Sequence, residues 1–145
     1  MENETSISDL IEQVLDKKNI YAVVGVSTDS EKYGHKIFKF LLEHGYEVYP
    51  VNPNAEEVLG HKVYPDLKSL PKKPNVVDVV VPPHLTEKIV SAAKDLGIKM
   101  VWLQPGSESQ KAIEFCVENE IQIIHGHCVM AEINIRCGNQ ALCSP

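Results

Sequence analysis

A chain of 145 residues with 43% hydrophobic content can bury a single core and fold as one domain. Its 20 acidic residues outnumber 14 basic ones, for a formal charge of −6, and Arg136 is the only arginine. No basic tract interleaved with aromatics marks a nucleic-acid surface, and no apolar run approaches the roughly 20 residues of a bilayer span, so neither partner is expected.

Ser6–Lys17 carries Ile7, Leu10, Ile11, Val14 and Leu15 on one helical stripe, with Ser6 as cap, and reads as a leading helix packed on the domain. Met1–Thr5 ahead of it is polar and expected to fray. Ile20–Val26 is an apolar strand-type run with Gly25 at its turn into a loop, and Lys36–His44 has apolar residues at helical spacing until Gly45. Tyr46–Val51 is a second strand. Strand, loop, helix, strand is the right-handed crossover unit of a parallel sheet. Its natural binding place lies outside the carboxyl end of the first strand, where backbone N–H groups and a helix N-terminus meet a phosphorylated ligand.

Ala55–Leu59 is expected to form a short helical turn ended by Gly60, and Lys62–Tyr64 a brief edge strand. Pro65–Pro74 is a connection anchored by Leu67 and Leu70. Val76–Val81 reads as a strand covered on both faces, broken only by Asp78 and stopped by Pro82 and Pro83. Leu85–Leu96 is a helix, Lys99–Gln104 a strand, and Pro105–Gly106 its turn. Ser107 and Gln110 have capping-box spacing for a helix through Glu118. Ile121–Ile124 is the last strand, and beyond Glu132 the periodicity fades.

These elements predict an α/β fold: a Rossmann-like, doubly wound, mostly parallel sheet of five to six strands with helices on both faces, in the order 3-2-1-4-5. Residues 1–17 are expected to form the leading helix, 18–132 the binding domain and 133–145 a C-terminal tail.

The common nucleotide signatures are missing. Gly25 is followed by Val26, Ser27 and Thr28 rather than by a GxGxxG turn, and Val51–Asn54 offers no carboxylate for ribose hydroxyls. No GxxxxGK[ST] loop occurs. In their place stands a longer loop with Ser27, Thr28, Ser30, Lys32, Tyr33 and His35, whose hydroxyls, N–H groups and cations suit a pyrophosphate. An ordinary solvated loop has the same composition.

The pattern VVGVS…YG…GYEVYPVNP, then LGHKVYPDLKSLP, VDVVVPP, VVWLQPG and GHCVMAE resembles the small single-domain CoA-binding proteins. It is similar, more distantly, to the CoA-binding domain of the succinyl-CoA synthetase alpha subunit and of ADP-forming acyl-CoA synthetases. The resemblance covers about residues 18–132. It implies coenzyme A or an acyl-CoA as ligand. Gly25, Val26 and Ser27 match the turn where backbone approaches the phosphates, and Lys32, Tyr33 and Gly34, with His35 beside them, the end of that loop. Asn52 and Pro53 match the passage along the adenosine. Val81, Pro82 and Pro83 line the ligand from the fourth strand, and Gln104, Pro105 and Gly106 form the next ligand-facing turn. The phosphorylated histidine of the synthetases belongs to a following domain, so ligase chemistry is not carried over.

His125, His127 and Cys128 sit beyond the last strand. With Cys137 or Cys143 they offer a possible metal set, but the spacing is that of no zinc finger or ribbon, and no metal is expected. Cys116 reads as core, Trp102 as core, and Asp78 as an odd buried acid needing hydrogen bonds. The cysteines, without a CxxC pair, are expected as free thiols, and the N-terminus lacks a secretory pattern, which points to the cytoplasm.

The favoured reading is non-catalytic binding of coenzyme A or an acyl-CoA through the loop after the first strand. Alternatives are an NAD(P)-binding or redox module, a small enzyme acting on an acyl-CoA, and a scaffold that has lost its ligand. A protein partner or a homo-oligomer fits the leading reading. Gly25→Val is expected to remove binding while leaving the fold intact.

Overall fold

The computed structural model describes residues 6–136; Met1–Thr5, Cys137, Cys143 and the rest of 137–145 lie outside the described residues. Five parallel strands form the sheet: β1 (Tyr21–Val24), β2 (Val48–Val51), β5 (Val76–Val79), β6 (Met100–Leu103) and β7 (Gln122–His125), in the order β2-β1-β5-β6-β7. Between β2 and β5 lies a separate two-stranded hairpin, β3 (Glu57–Val58) with β4 (His61–Lys62).

Strands β1 and β5 are buried at every position, as a parallel sheet covered on both faces requires. Alternation then divides their side chains between two cores. Tyr21, Val23, Val76, Trp102 and Ile124 face α1 (Ile7–Val14), α2 (Tyr33–Glu43) and α5 (Val129–Arg136). Ala22, Val24, Val77, Val79 and Leu103 face α3 (Pro83–Asp95) and α4 (Gln110–Glu118). Trp102 and Cys116 are core residues, as expected. Helix α1 begins at Ser6, whose hydroxyl accepts from the Asp9 N–H at 3.1 Å. Its carboxyl end is latched by two buried tyrosines, which donate to the Val14 and Leu15 carbonyls at 2.7 Å each.

Several local expectations are corrected. With the five main strands numbered in sequence, the order is 2-1-3-4-5 rather than 3-2-1-4-5. The place outside β2 is taken by Tyr64 alone, bridged to Val51. Tyr64 spends both its N–H and its carbonyl on β2, and the chain then crosses back to lie beside β1 as β5. Residues Ala55–Leu59 are not helical: Leu59 (φ 53°) and Gly60 (φ 80°) make the two-residue turn of the β3–β4 hairpin, where both central residues need positive φ. Helix α4 is capped by Ser109, which accepts from the Ala112 N–H, and not by Ser107. At the carboxyl end, α5 continues to Arg136, past the point where the periodicity fades, because Ile133 is buried and Arg136 bonds Glu132 and Ser8.

The crossover is closed by backbone meeting backbone. Gly25 has φ +109°, and a Cβ there would lie 2.2 Å from the Val80 carbonyl oxygen. Gly34, in the first turn of α2, would place a Cβ 2.2 Å from the Gly25 carbonyl oxygen. Loop, helix and the end of β5 thus touch through two missing side chains. This corrects the expectation for Gly25→Val, which would part β1's loop from β5 before any ligand was met.

Gly34→Ala is therefore expected to cost about 3 kcal/mol or more, since overpacked backbone cannot yield as a flexible side chain does. Gly60→Ala, with positive φ but open space around it, should cost only about 1 kcal/mol. Urea midpoints of the two variants check the comparison; equal losses would show that the contact at Gly34 is soft.

Candidate functional site

At the carboxyl end of the sheet, β1 and β5 are neighbours whose crossover helices lie on opposite faces, so the chain parts there and leaves a crevice. Two cavities occupy it. One, of about 550 Å³, is lined by the end of β2 (Val51–Asn54), by Pro65, Asp66 and Leu67, and by Leu85, Lys88, Ile89 and Ala92 of α3. The other, of about 520 Å³, is lined by Ser27, Lys32, Tyr33 and Gly34 on one side and Pro83, Pro105, Gly106 and Ser107 on the other. Gly25, Val80, Val81 and Pro82 line both, so the two are lobes of one cleft.

The sequence candidates line one lobe, both lobes or neither. Gly25, Asn52, Pro53, Val81 and Pro82 line the first lobe. Gly25, Ser27, Lys32, Tyr33, Gly34, Val81, Pro82, Pro83, Pro105 and Gly106 line the second. Val26, His35 and Gln104 line neither. Val26 is fully buried in the core below the loop, and its carbonyl accepts from Asn52 Nδ2 at 2.7 Å. His35 Nδ1 lies 2.8 Å from the Ser27 carbonyl, so that nitrogen carries the proton and ties the loop to α2. Gln104 is fully buried: its Nε2 donates to Asp78 Oδ1 at 2.7 Å, and its Oε1 accepts from the Val129 N–H at 3.1 Å.

Sequence reasoning missed the far wall of the first lobe. Asp66, Leu67, Leu85, Lys88 and Ile89 come from segments read only as a connection and a helix. The missing carboxylate after β2 is also supplied from a distance: Tyr64's bridge to Val51 brings Asp66 to this lobe. Asp66 Oδ1 accepts from the Ser69 N–H and Oγ at 2.9 and 2.6 Å, which holds its pKa below the usual carboxylate range. Ser107, expected to cap a helix, instead accepts from the Val81 N–H at 3.0 Å, and its carbonyl accepts from Thr86 at 2.8 Å. It joins the two turns that face each other across the second lobe.

Helix starts supply much of the polarity. α1 and α4 are capped by their own serines, whereas α2 and α3 begin beside the cleft with no side-chain cap, at Lys32 and Pro82. The first-turn N–H groups of α2 are therefore available to an anion, whereas α3 opens on Pro83, which has no N–H, and its Leu85 N–H donates to the Pro82 carbonyl at 2.9 Å. Between them Gly25 and Gly34 leave bare backbone.

Behind α2, the Tyr33 hydroxyl donates to Cys128 Sγ at 2.6 Å, and burial followed by that bond pushes its pKa up, so it stays a donor. The His127 carbonyl accepts from Trp102 Nε1 at 2.8 Å, while its ring pairs with Glu132 at 3.1 Å. Among the described residues no group of three histidines, cysteines or carboxylates is placed to hold a metal ion. No helix of the described residues is long and apolar enough to cross a membrane.

Asp78 sits between Val23 and Trp102 in the sheet, with Oδ2 unpartnered. Burial, opposed by the Gln104 bond, pushes its pKa up to about 7. The folded state therefore holds a proton that the unfolded chain releases near pH 4. Asp78's contribution is fully favourable below the unfolded value and is lost as pH rises to about 7, with a slope of at most about 1.4 kcal/mol per pH unit. Wild type should thus lose stability relative to Asp78→Asn between pH 5 and pH 8 in urea unfolding. A pH-independent difference would place the ionised form in the native core.

A family model described as a CoA binding domain matches residues 19–134. The alpha subunit of the ADP-forming acetate–CoA ligase II of Pyrococcus furiosus is 32% identical over 119 residues, covering 74% of this chain and 26% of that subunit. A solved hypothetical protein from Pyrococcus horikoshii superposes with a TM-score of 0.85 at 38% identity, covering 93% of this chain and 94% of that one. The dinucleotide forming acetyl-coenzyme A synthetase 1 of Ca. Korarchaeum cryptofilum, in complex with phosphate and ADP, gives 0.68 at 28% identity over 80% of this chain and 27% of its own. The chain spans about a quarter of these two ligases.

Proposed function

The chain belongs to the CoA-binding domain family, and on that footing we propose that it binds coenzyme A or an acyl-CoA without carrying out chemistry of its own. The observation that carries this reading is the two-lobed cleft, with the uncapped start of α2 and bare glycine backbone at one end and an apolar slot at the other. A diphosphate needs the first of these and an adenine ring the second.

In this reading Gly25, Ser27 and Gly34 meet the diphosphate, and the first turn of α2 with Lys32 supplies positive charge. The adenosine lies by Asn52 and Pro53. The pantetheine follows Val81, Pro82 and Pro83 toward Pro105 and Gly106. Coenzyme A would bring a thiol able to carry an acyl group. Val26, His35 and Gln104 hold the walls in place. Among the described residues neither lobe is lined by a histidine or cysteine, which favours binding over nucleophilic catalysis. We place the protein in the cytoplasm, as a homo-oligomer or beside a catalytic partner of the kind its ligase relatives join to this domain.

One observation favours a second reading. Asp66 stands where a dinucleotide site keeps a carboxylate for ribose hydroxyls, which suits NAD. Its Oδ1, however, already caps the turn at Ser69.

Calorimetric titration with coenzyme A, acetyl-CoA and NAD separates the two. Coenzyme A should bind more tightly than NAD, and the reverse order would overturn the proposal. Lys32→Ala should weaken coenzyme A about tenfold, at the low end for charge-assisted bonds because Lys32 is exposed.

A further inference from the structure

We infer that Lys88 selects ligands carrying a phosphate on the adenosine ribose, separate from the diphosphate; the inference rests on the binding mode proposed above and names the feature of the ligand it reads. Lys88 lines the first lobe and not the second, so it stands at the end of the cleft away from Lys32. The cleft thus has one lysine in each lobe. A ligand that satisfies both must be anionic at two places joined by a ribose and a base. NAD, ADP and dephosphorylated coenzyme A are anionic at one.

The setting of Lys88 supports an anion there and not a structural ion pair. Leu85, Lys88, Ile89 and Ala92 form the stripe of α3 that lines the lobe, while Thr86, Val90 and Ala93 are buried against the sheet. A lysine within an apolar stripe lays its stem along the wall and carries its ammonium to the rim. Among the described residues it has no hydrogen-bond or ion-pair partner. Its neighbour Glu87 is turned to Ser109, at 2.9 Å. Asn52 is occupied by the Val26 carbonyl and the Asn54 N–H, and Asp66 by Ser69. Asp66 keeps its negative charge on the opposite wall, so an added phosphate is drawn to the α3 side.

The test is calorimetry on the full chain with coenzyme A and dephospho-coenzyme A, repeated with adenosine 3′,5′-bisphosphate against adenosine 5′-monophosphate. Wild type should favour the ligand with the 3′-phosphate by about tenfold in each pair, equal to about 1.4 kcal/mol. The preference should shrink at about 0.5 M salt. Lys88→Ala should bring each ratio to about one by weakening only the phosphorylated partner, and Lys88→Arg should retain it. Lys88 is exposed on a helix, and circular dichroism checks that the variants fold. A Lys88→Ala protein that still prefers coenzyme A overturns the inference, as does a wild type that binds both coenzymes equally. In either case the binding proposal stands. Failure of wild type to bind either coenzyme overturns both.

Discussion

The contact on which the rest depends is the three-way approach of Gly25, Gly34 and Val80. The loop after β1 is pressed against both the start of β1's own crossover helix α2 and the end of the neighbouring β5. Without side chains at two positions, the helix start comes close enough to satisfy packing yet leaves its N–H groups uncovered. The same approach that closes the core therefore opens the floor of the cleft. The phosphate site proposed for this cleft follows from how the crossover is closed, and it does not need the three-glycine signature the chain lacks.

Most of the architecture was legible because parallel strands buried on both faces leave continuous apolar runs. Val76–Val79 and Tyr21–Val24 could hardly be anything else. Where the reading failed, a single residue's chemistry had overruled the local pattern. The pairing outside β2 stops at Tyr64, and the chain returns across the sheet to lie beside β1, which changed the strand order. Leu59 accepted a positive φ next to Gly60, and a hairpin replaced the expected helical turn. Ser107 had the spacing of a cap, but Ser109 took that place and left Ser107 to join two turns.

The cleft was half legible for a related reason. Its near wall comes from strand ends, and strand ends are marked in sequence by glycine and proline. Its far wall comes from Asp66, Lys88 and Ile89, which reach the cleft only through the detour made after β2. A helix stripe facing a cavity reads the same as one facing a core, so Leu85 and Ile89 gave no signal of a ligand. Lys88 did interrupt that stripe, which was the one available hint.

Polar residues at the ends of these strands fall into two groups, and bonding separates them better than residue type does. Asn52, Asp66, His35 and Gln104 all carry groups suited to a nucleotide, yet each is engaged by the protein's own backbone or side chains. Gln104 goes furthest: it joins Asp78 in the central strand to the first N–H of α5, so the buried acid fixes the helix that packs behind Tyr33. Buried polar groups left unbonded are costly, and these residues answer that demand first. In the proposed binding mode, what remains for a ligand is the unsatisfied remainder: the start of α2 and the ammonium groups of Lys32 and Lys88. On the proposed reading, recognition is carried by the groups that folding leaves without partners.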